Sequence, residues 1–414
     1  MEARTAVVVG GNRTPFARAG GSYAEASNVD LLTAALDGLA ARFGLAGEEL
    51  GEVAAGAVLK HTRDFNLTRE AVLGSALAST TPACDLQQAC ATGLEAVVYV
   101  ANKIRLGQVE VGVAGGVDSA SDAPVVVSER LRRAMLAASR ARTPLARARA
   151  FVGLGPRDLA PVPPRVVEGR TGLTMGESQA RTTRAMGITR EAQDELALTS
   201  HRRLAAAWDA GFFDDLVTPY LGVTRDEACR PDTSLEKLAA LKTVFGREDA
   251  TMTAGNSTGL SDGAAVVLLA EESWARGRGL PVWAAVVDAE VAAVDHVDAG
   301  EGLLMAPTRA IPRLLERNGL SLSDVDEVDI HEAFASTVLC TLAELERQGL
   351  GRVEADRLNA GGGSLAAGHP FAATGGRIVA SLAKRLAQRG PGSRGLVSVC
   401  AAGGLGVVAI LEGK

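Results

Sequence analysis

A chain of 414 residues is long enough to bury one large core or two or three smaller ones. An apolar fraction of 47% with a net charge of −6 is a soluble, globular composition, and for the chain as a whole it favours neither nucleic acid nor membrane. Aromatic residues make up only 4%, so base-stacking platforms are not expected.

The cysteines are Cys84, Cys90, Cys229, Cys340 and Cys400. Their odd number in a long chain argues against a disulfide framework. The N-terminus runs straight into Ala6-Val7-Val8-Val9, with no charged lead before a long apolar region. A reducing cytoplasm is therefore expected. No C-x-x-C pair is present, so structural zinc is not expected, and no metal is assigned. No apolar run is long enough to span a bilayer.

Short apolar strands alternate with amphipathic helices, the pattern of an α/β protein. A strand at Thr5–Val9 precedes a helix at Asn28–Phe43, and a strand at Glu52–Leu59 precedes a helix at Leu67–Ala78. Leu94, Val97, Val98, Ala101 and Ile104 recur at helical spacing behind Cys90, with Gly107 as a stop and a strand at Glu110–Ala114 beyond it. From about residue 123 to 246 the alternation breaks. Pro156, Pro161, Pro163 and Pro164 make part of this stretch irregular, and Glu191–Trp208 reads as a helix within it. Strand character returns at Ala264–Leu269.

The second half repeats the first. Strands are expected at Val282–Val287 and Glu327–Ile330, helices at Thr308–Asn318, Glu332–Gln348 and Thr374–Gln388, and a closing strand pair at Leu396–Cys400 and Val407–Leu411. Two copies of one α/β unit follow, each with a reactive group beside its third helix: Cys90 in one, His369 in the other. The inserted stretch is basic. Arg130, Arg132, Arg133, Arg140, Arg142, Arg147, Arg149, Arg157, Arg165 and Arg170 are opposed only by Glu129, Asp158 and Glu168. Such a patch is either a solvated helix face or a surface for a phosphate, an acidic partner or an anionic membrane.

Four small-residue loops carry the reactive groups: 89–93, 331–335, 361–375 and 400–406. Cys90 at a helix N-terminus is a candidate nucleophile, and the peptide dipoles there are expected to lower its pKa. His369, in a glycine-rich frame and followed by Pro370, is the natural base for it. Cys400 is either an inert strand cysteine or an acid/base, and the turn after it, Ala401-Ala402-Gly403-Gly404, can offer N–H groups to an oxyanion. His331 can hydrogen-bond a carbonyl oxygen, directly or through water, whereas Glu332 can be a plain first-turn carboxylate facing the helix dipole. Cys84, Cys229, Cys340, His61, His201 and His296 read as structural or surface residues.

The ordered set Ala89-Cys90-Ala91-Thr92-Gly93, His331-Glu332-Ala333-Phe334, Gly368-His369-Pro370 and Cys400-Ala401-Ala402-Gly403-Gly404 resembles the thiolase family, with Thr253–Gly259 and Asp262–Ala265 in support. The resemblance implies a thiolase fold: an N-terminal half at 1–122 completed by 247–273, a loop domain at 123–246, and a C-terminal half at 274–414. It implies a homodimer or tetramer that takes acyl-CoA and CoA, with CoA as co-substrate and no further cofactor. In the family's scheme Cys90 attacks the keto carbon of a 3-ketoacyl-CoA, His369 takes its proton and helps hold the oxyanion, and Cys400 protonates the leaving enolate. The backbone N–H groups of Cys90 and Ala402 would form an oxyanion hole. Met175, Ser257, Thr258 and Phe334 would line the CoA and acyl tunnel, against a plain reading as loop and core packing.

Three residues depart from the commonest pattern: His331 for asparagine, Ala402 for glycine and Thr92 for serine. The first two resemble the subgroup that includes the β-subunits of fatty-acid oxidation complexes. So do Ser364-Leu365, Pro370–Gly375 and the arginine-rich stretch Leu131–Phe151, which in that subgroup contributes to partner and membrane contacts. Degradative 3-ketoacyl-CoA thiolysis is expected on this basis. The alternatives are an acetyl-CoA acetyltransferase, a decarboxylating ketoacyl synthase, a non-catalytic acyl-CoA or lipid-binding protein, and a scaffold subunit inactive without its partner.

Overall fold

The computed structural model describes residues 4–164, 167–246 and 250–414. Arg165 of the basic stretch and the first three residues of the 247–273 segment lie outside them.

The first half supplies strands β1 (Ala6–Arg13), β2 (Glu52–Ala55), β3 (Ala83–Asp85), β4 (Val111–Ser119) and β5 (Ser261–Glu271). Its helices are α1 (Asn28–Phe43), α2 (Leu67–Gly74) and α3 (Thr92–Arg105). The inserted stretch holds α4 (Glu129–Arg140), α5 (Met175–Ala185) and α6 (Arg190–Asp209) as its longer helices. The second half supplies β6 (Ala284–Ala293), α7 (Pro307–Arg317), β7 (Glu327–Ile330), α8 (Ala335–Arg347), α9 (Ala373–Arg389), β8 (Arg394–Ala401) and β9 (Leu405–Gly413). The elements expected from sequence are all present, with ends shifted by a few residues. The largest shift is at β6, which ends at Ala293 rather than Val287.

The strands run in the order β7-β8-β9-β6-β1-β5-β4-β2-β3. Outward from the centre, β1-β5-β4-β2 in one half matches β6-β9-β8-β7 in the other. The internal repeat is therefore a repeat of topology as well as of pattern. The halves join where β1 meets β6 over only two residue pairs, Val7 with Ala285 and Val8 with Ala284. In both halves the outer pairs are parallel and the inner ones antiparallel.

Alternation along the strands explains the layers. Ala6, Val8, Ala114, Val267 and Leu269 face one core, while Val7, Val9, Val113, Val266 and Leu268 face another. The first core holds α3 and α9 together with Val397, Val399, Val407 and Ala409 of the second half. These two helices are thus buried in the middle, with sheet from both halves around them. Helix α1 covers the outer face of the first half. It starts at a Ser27/Asp30 capping box and stops at Gly44, whose φ of 66° favours glycine.

The inserted stretch is tied down by one buried ion pair. Arg13 of β1 grips Asp226 with two bonds of 2.6 and 2.8 Å, and Asp226 also accepts from Trp208 Nε1 and the Phe16 N–H. Losing either partner would strand a buried charge.

Candidate functional site

The Cys90 turn is built by its neighbours. Thr92 Oγ1 accepts the Gln88 N–H at 2.8 Å and donates to the Ala89 carbonyl at 2.7 Å. Ala89 is held at φ 46°, a left-handed conformation that costs an alanine roughly 1 kcal/mol. The chain folds back sharply and places the thiol just ahead of α3.

The His369 loop is built by close approach. The N-terminal ends of α3 and α9 meet with no room for side chains. A Cβ on Gly93 would lie 2.5 Å from the Ala372 carbonyl oxygen, and one on Gly375 would lie 2.2 Å from the Leu94 nitrogen. Asp118, at the end of β4, accepts the Ala372 N–H at 2.8 Å and the N–H groups of Val58 and Leu59. Burial raises its pKa to about 7, against these bonds.

This docking brings together residues 279 apart in sequence. His369 Nε2 lies 3.2 Å from Cys90 Sγ. His369 Nδ1 lies 2.7 Å from Thr374 Oγ1, which makes a long 3.4 Å bond of its own to the Pro370 carbonyl. The His331 and His369 rings stand 4.1 Å apart, and His331 Nδ1 is 2.8 Å from Ser364 Oγ. One ring nitrogen of each histidine and the Cys90 sulfur lie within 4.8 Å of one another. His331 Nε2 is buried and has no hydrogen-bond partner among the described residues.

The electrostatics correct one expectation. Burial pushes the Cys90 thiol up to about 12; the Ala402 N–H pulls it down, but by less, and the Asp118 carboxylate raises it further. The helix N-terminus does not make a resting thiolate here, because enclosure costs the anion more than the helix end returns. Burial, aided by Arg377, lowers His369 to about 3, and burial with His369 and Arg377 holds His331 well below the usual imidazole range. The resting pair is a neutral thiol beside a neutral imidazole. Cys400 is also pushed up, by burial and then by the nearby Cys90 thiol.

Glu332 differs from its expected reading too. It is buried ahead of α8, outside the first turn of that helix. Ser200 of α6 and the Asn359 amide donate to it at 2.7 Å each, and the Leu365 N–H at 3.1 Å. It therefore pins the His369 loop to the inserted stretch.

The residues expected to line a tunnel gather around His331–Phe334. Met175 and Phe334 belong to one apolar cluster with Met252, Leu303, Leu304 and Cys400. Thr258 bonds the Ala333 carbonyl through its N–H and its hydroxyl, and Ser257 forms a bridge with Phe334. From the inserted stretch, Glu168 accepts the Gly403 N–H at 2.9 Å, beside the Ala402 amide. His296 packs against the same turn, where a Cβ on Gly404 would lie 2.7 Å from its Nδ1.

Sequence reasoning gave no role to Thr374, Arg377, Asn359, Ser200 or Asp118. Thr374 and Arg377 were within reach, since a hydroxyl and a guanidinium follow His369 in the first two turns of α9. Ser200 and Asp118 carry no local signal and matter only through tertiary contact.

The molecule is thus a doubled α/β fold whose halves deliver a thiol, two imidazoles and a second thiol to one buried point. Family models described as the N-terminal and C-terminal domains of thiolase match residues 6–273 and 280–413. The chain belongs to the thiolase family. It is 39% identical over 423 residues to a 3-ketoacyl-CoA thiolase of Yersinia pestis (strain Pestoides F), covering 98% of this chain and 96% of that one. To a 3-ketoacyl-CoA thiolase of Serratia proteamaculans (strain 568) it is 40% identical over 422 residues, with the same coverage. Among solved structures it resembles the acetyl-CoA acetyltransferase of Bacillus anthracis, with a TM-score of 0.85 and 31% identity over 100% of this chain and 99% of that one. It also resembles human mitochondrial 3-ketoacyl-CoA thiolase in complex with CoA, with a TM-score of 0.84 and 30% identity over 99% and 98% of the two chains.

Proposed function

We propose that this protein is an acetyl-CoA C-acyltransferase that cleaves 3-ketoacyl-CoA with CoA, giving acetyl-CoA and a shortened acyl-CoA. The observation that carries the reading is the 3.2 Å contact between the half-buried Cys90 thiol and His369 Nε2. Names of relatives near 40% identity favour the 3-ketoacyl substrate class.

The residues divide the work as follows. Thr374 donates to the Pro370 carbonyl and accepts from His369 Nδ1–H, which leaves the Nε2 lone pair facing the thiol. As Cys90 Sγ bonds to the keto carbon, its proton passes to Nε2 and the keto oxygen gains the charge. That oxygen faces the N–H groups of Cys90 and Ala402, while Nε2–H of His369 and the His331 ring face the thioester oxygen on which the leaving enolate gathers its charge. Collapse breaks the C2–C3 bond, and the enolate of acetyl-CoA takes its proton from Cys400. The acyl group stays on Cys90 as a thioester, its carbonyl facing the N–H groups of Cys90 and Ala402. A second CoA then gives its thiol proton to the Cys400 thiolate and attacks the thioester. Expulsion of Cys90 recovers the proton from His369. Pairing a neutral thiol with a neutral base avoids holding a buried ion pair between turnovers.

Met175, Ser257, Thr258 and Phe334 are assigned to the pantetheine and acyl path, and residues 123–246 to gripping CoA. CoA is the co-substrate and no other cofactor is assigned. A homodimer or tetramer in a reducing cytoplasm fits the family and the free cysteines. No helix among the described residues is long and apolar enough to cross a membrane. Exposed Met135, Leu136, Leu145 and Phe151 beside the arginines of the inserted stretch support a peripheral contact there, with an α-subunit or an anionic membrane.

CoA-dependent thiolysis of 3-ketoacyl-CoAs, from acetoacetyl-CoA to long chains, tests the reading. Activity that rises with chain length supports it. Activity confined to acetoacetyl-CoA would make the protein an acetyl-CoA acetyltransferase, the reading favoured by the Bacillus anthracis structure. Binding of acyl-CoA without transfer would refute both.

A further inference from the structure

Arg377 is a buried cation that the mechanism above does not use. It is only 6% exposed and has no carboxylate within salt-bridge distance among the described residues. Among the described residues its Nε has no hydrogen-bond partner, and its one side-chain bond is from Nη2 to Ser364 Oγ, at 3.0 Å. A buried charge so poorly paired is costly and needs a reason. Ser364 is fully buried, and its oxygen stands between Arg377 and His331 Nδ1.

The hydrogen-bond inventory fixes the direction of this chain. A guanidinium can only donate, so Ser364 Oγ accepts from Arg377. If His331 Nδ1 also carried a proton, the Ser364 hydrogen would point at two donors and have no acceptor. Among these contacts the Ser364 hydrogen finds an acceptor only when Ser364 donates to a bare Nδ1. The His331 proton then sits on Nε2, the ring nitrogen that has no protein partner. Thr374 does the opposite for His369, because its hydrogen goes to a carbonyl and its oxygen accepts Nδ1–H. Two histidines 4.1 Å apart thereby hold opposite tautomers.

We propose that Ser364 and Arg377 are positioning residues that lock His331 as the Nε2–H tautomer, a fixed hydrogen-bond donor to the thioester oxygen of the departing enolate, next to a His369 locked as base. The inference rests on the assignment of Cys90 and His369 as the reacting pair. Arg377 acts in a second way as well. Its charge opposes protonation of both imidazoles, which keeps one a base and the other a neutral donor.

The test is a double-mutant cycle in the full-length protein: wild type, Ser364→Ala, His331→Asn and the double variant, with kcat and KM for thiolysis of one 3-ketoacyl-CoA. Asparagine is an N–H donor with no tautomer to set. Ser364→Ala should lower kcat by roughly 10- to 100-fold with KM nearly unchanged. It should cost less than about threefold more in the His331→Asn background. Ser364→Thr, which keeps the hydroxyl, should recover much of the loss. In parallel, ¹⁵N spectra of histidine-labelled wild type should give a protonated Nε2 for His331, and Ser364→Ala a mixture. Equal losses in both backgrounds, or a wild-type His331 protonated on Nδ1, would overturn the inference alone. Mass spectrometry of wild type quenched with acyl-CoA separates the deeper failure: no acyl adduct on Cys90 would remove the reacting pair and this inference with it.

Discussion

The two halves share a topology and differ most at one connection. In the first half the chain leaves β4 at Ser119 and returns in β5 at Ser261, and residues 120–260 lie between. At the matching place in the second half, β8 ends at Ala401 and β9 begins at Leu405, with only Ala402, Gly403 and Gly404 between them. One copy has room for a large insertion; the other keeps a tight turn whose N–H groups and flanking Cys400 lie against Cys90. The third helices make the complementary contrast. Both α3 and α9 begin at the buried centre, and one is preceded by a thiol and the other by an imidazole. A repeat that was symmetric in chemistry would offer two bases or two nucleophiles. Divergence at equivalent positions gives a working pair.

The sharpest way to break the comparison is to remove one thiol from each half. Cys90→Ala should abolish acyl transfer, by about 10⁴-fold or more, and leave the unfolding midpoint close to wild type. Cys400→Ala should cost roughly 10²- to 10⁴-fold in carbon–carbon cleavage and less in hydrolysis of a preformed acyl-enzyme. Rates of acyl-enzyme formation and breakdown, measured separately, check both. Equal losses in the two steps for Cys400→Ala would leave it no specific acid role.

A smaller effect tests the docking of the halves. Gly375→Ala would put a methyl group against the Leu94 backbone, where nothing can move out of its way. We expect a loss of about 1–3 kcal/mol in stability and a larger proportional loss in activity, because the Cys90–His369 distance must grow. Urea unfolding beside a thiolysis assay reads both. A substitution neutral in each would mean that helix contact does not set the pair.

The smallest effect is a pH dependence. Both active-site imidazoles have folded pKa values below the ordinary 6.5, with His369 at about 3. As pH falls, the unfolded chain takes up these protons first. The stability held by the neutral rings is therefore complete above about 6.5 and drains away toward about 3. Asp118, raised to about 7, works in the opposite sense over the same range. The diagnostic is thus the difference between proteins: urea midpoints should fall less steeply with acid for His369→Asn than for wild type. Parallel curves would mean that His369 is not buried neutral in solution.

Much of this was legible along the chain. The alternation of strands and helices, the internal repeat and the four reactive loops are local patterns, and they gave the α/β architecture and the residues that meet at its centre. Burial is not a local property. Cys90 at a helix start reads as an activated thiol, yet the enclosed site raises its pKa. Glu332 reads as a helix-end carboxylate, yet Ser200 and Asn359, distant in sequence, draw it into a buried brace.

The sequence by itself determined the elements, their order and the reactive groups, because period, turn chemistry and residue type act over a few positions. Only the tertiary structure decided which groups touch and in what protonation state. Those depend on two glycine-faced helix ends meeting in a shared core, and on hydroxyls and a cation whose partners lie far away along the chain. Desolvation and hydrogen-bond direction exist only once distant segments have closed around one another.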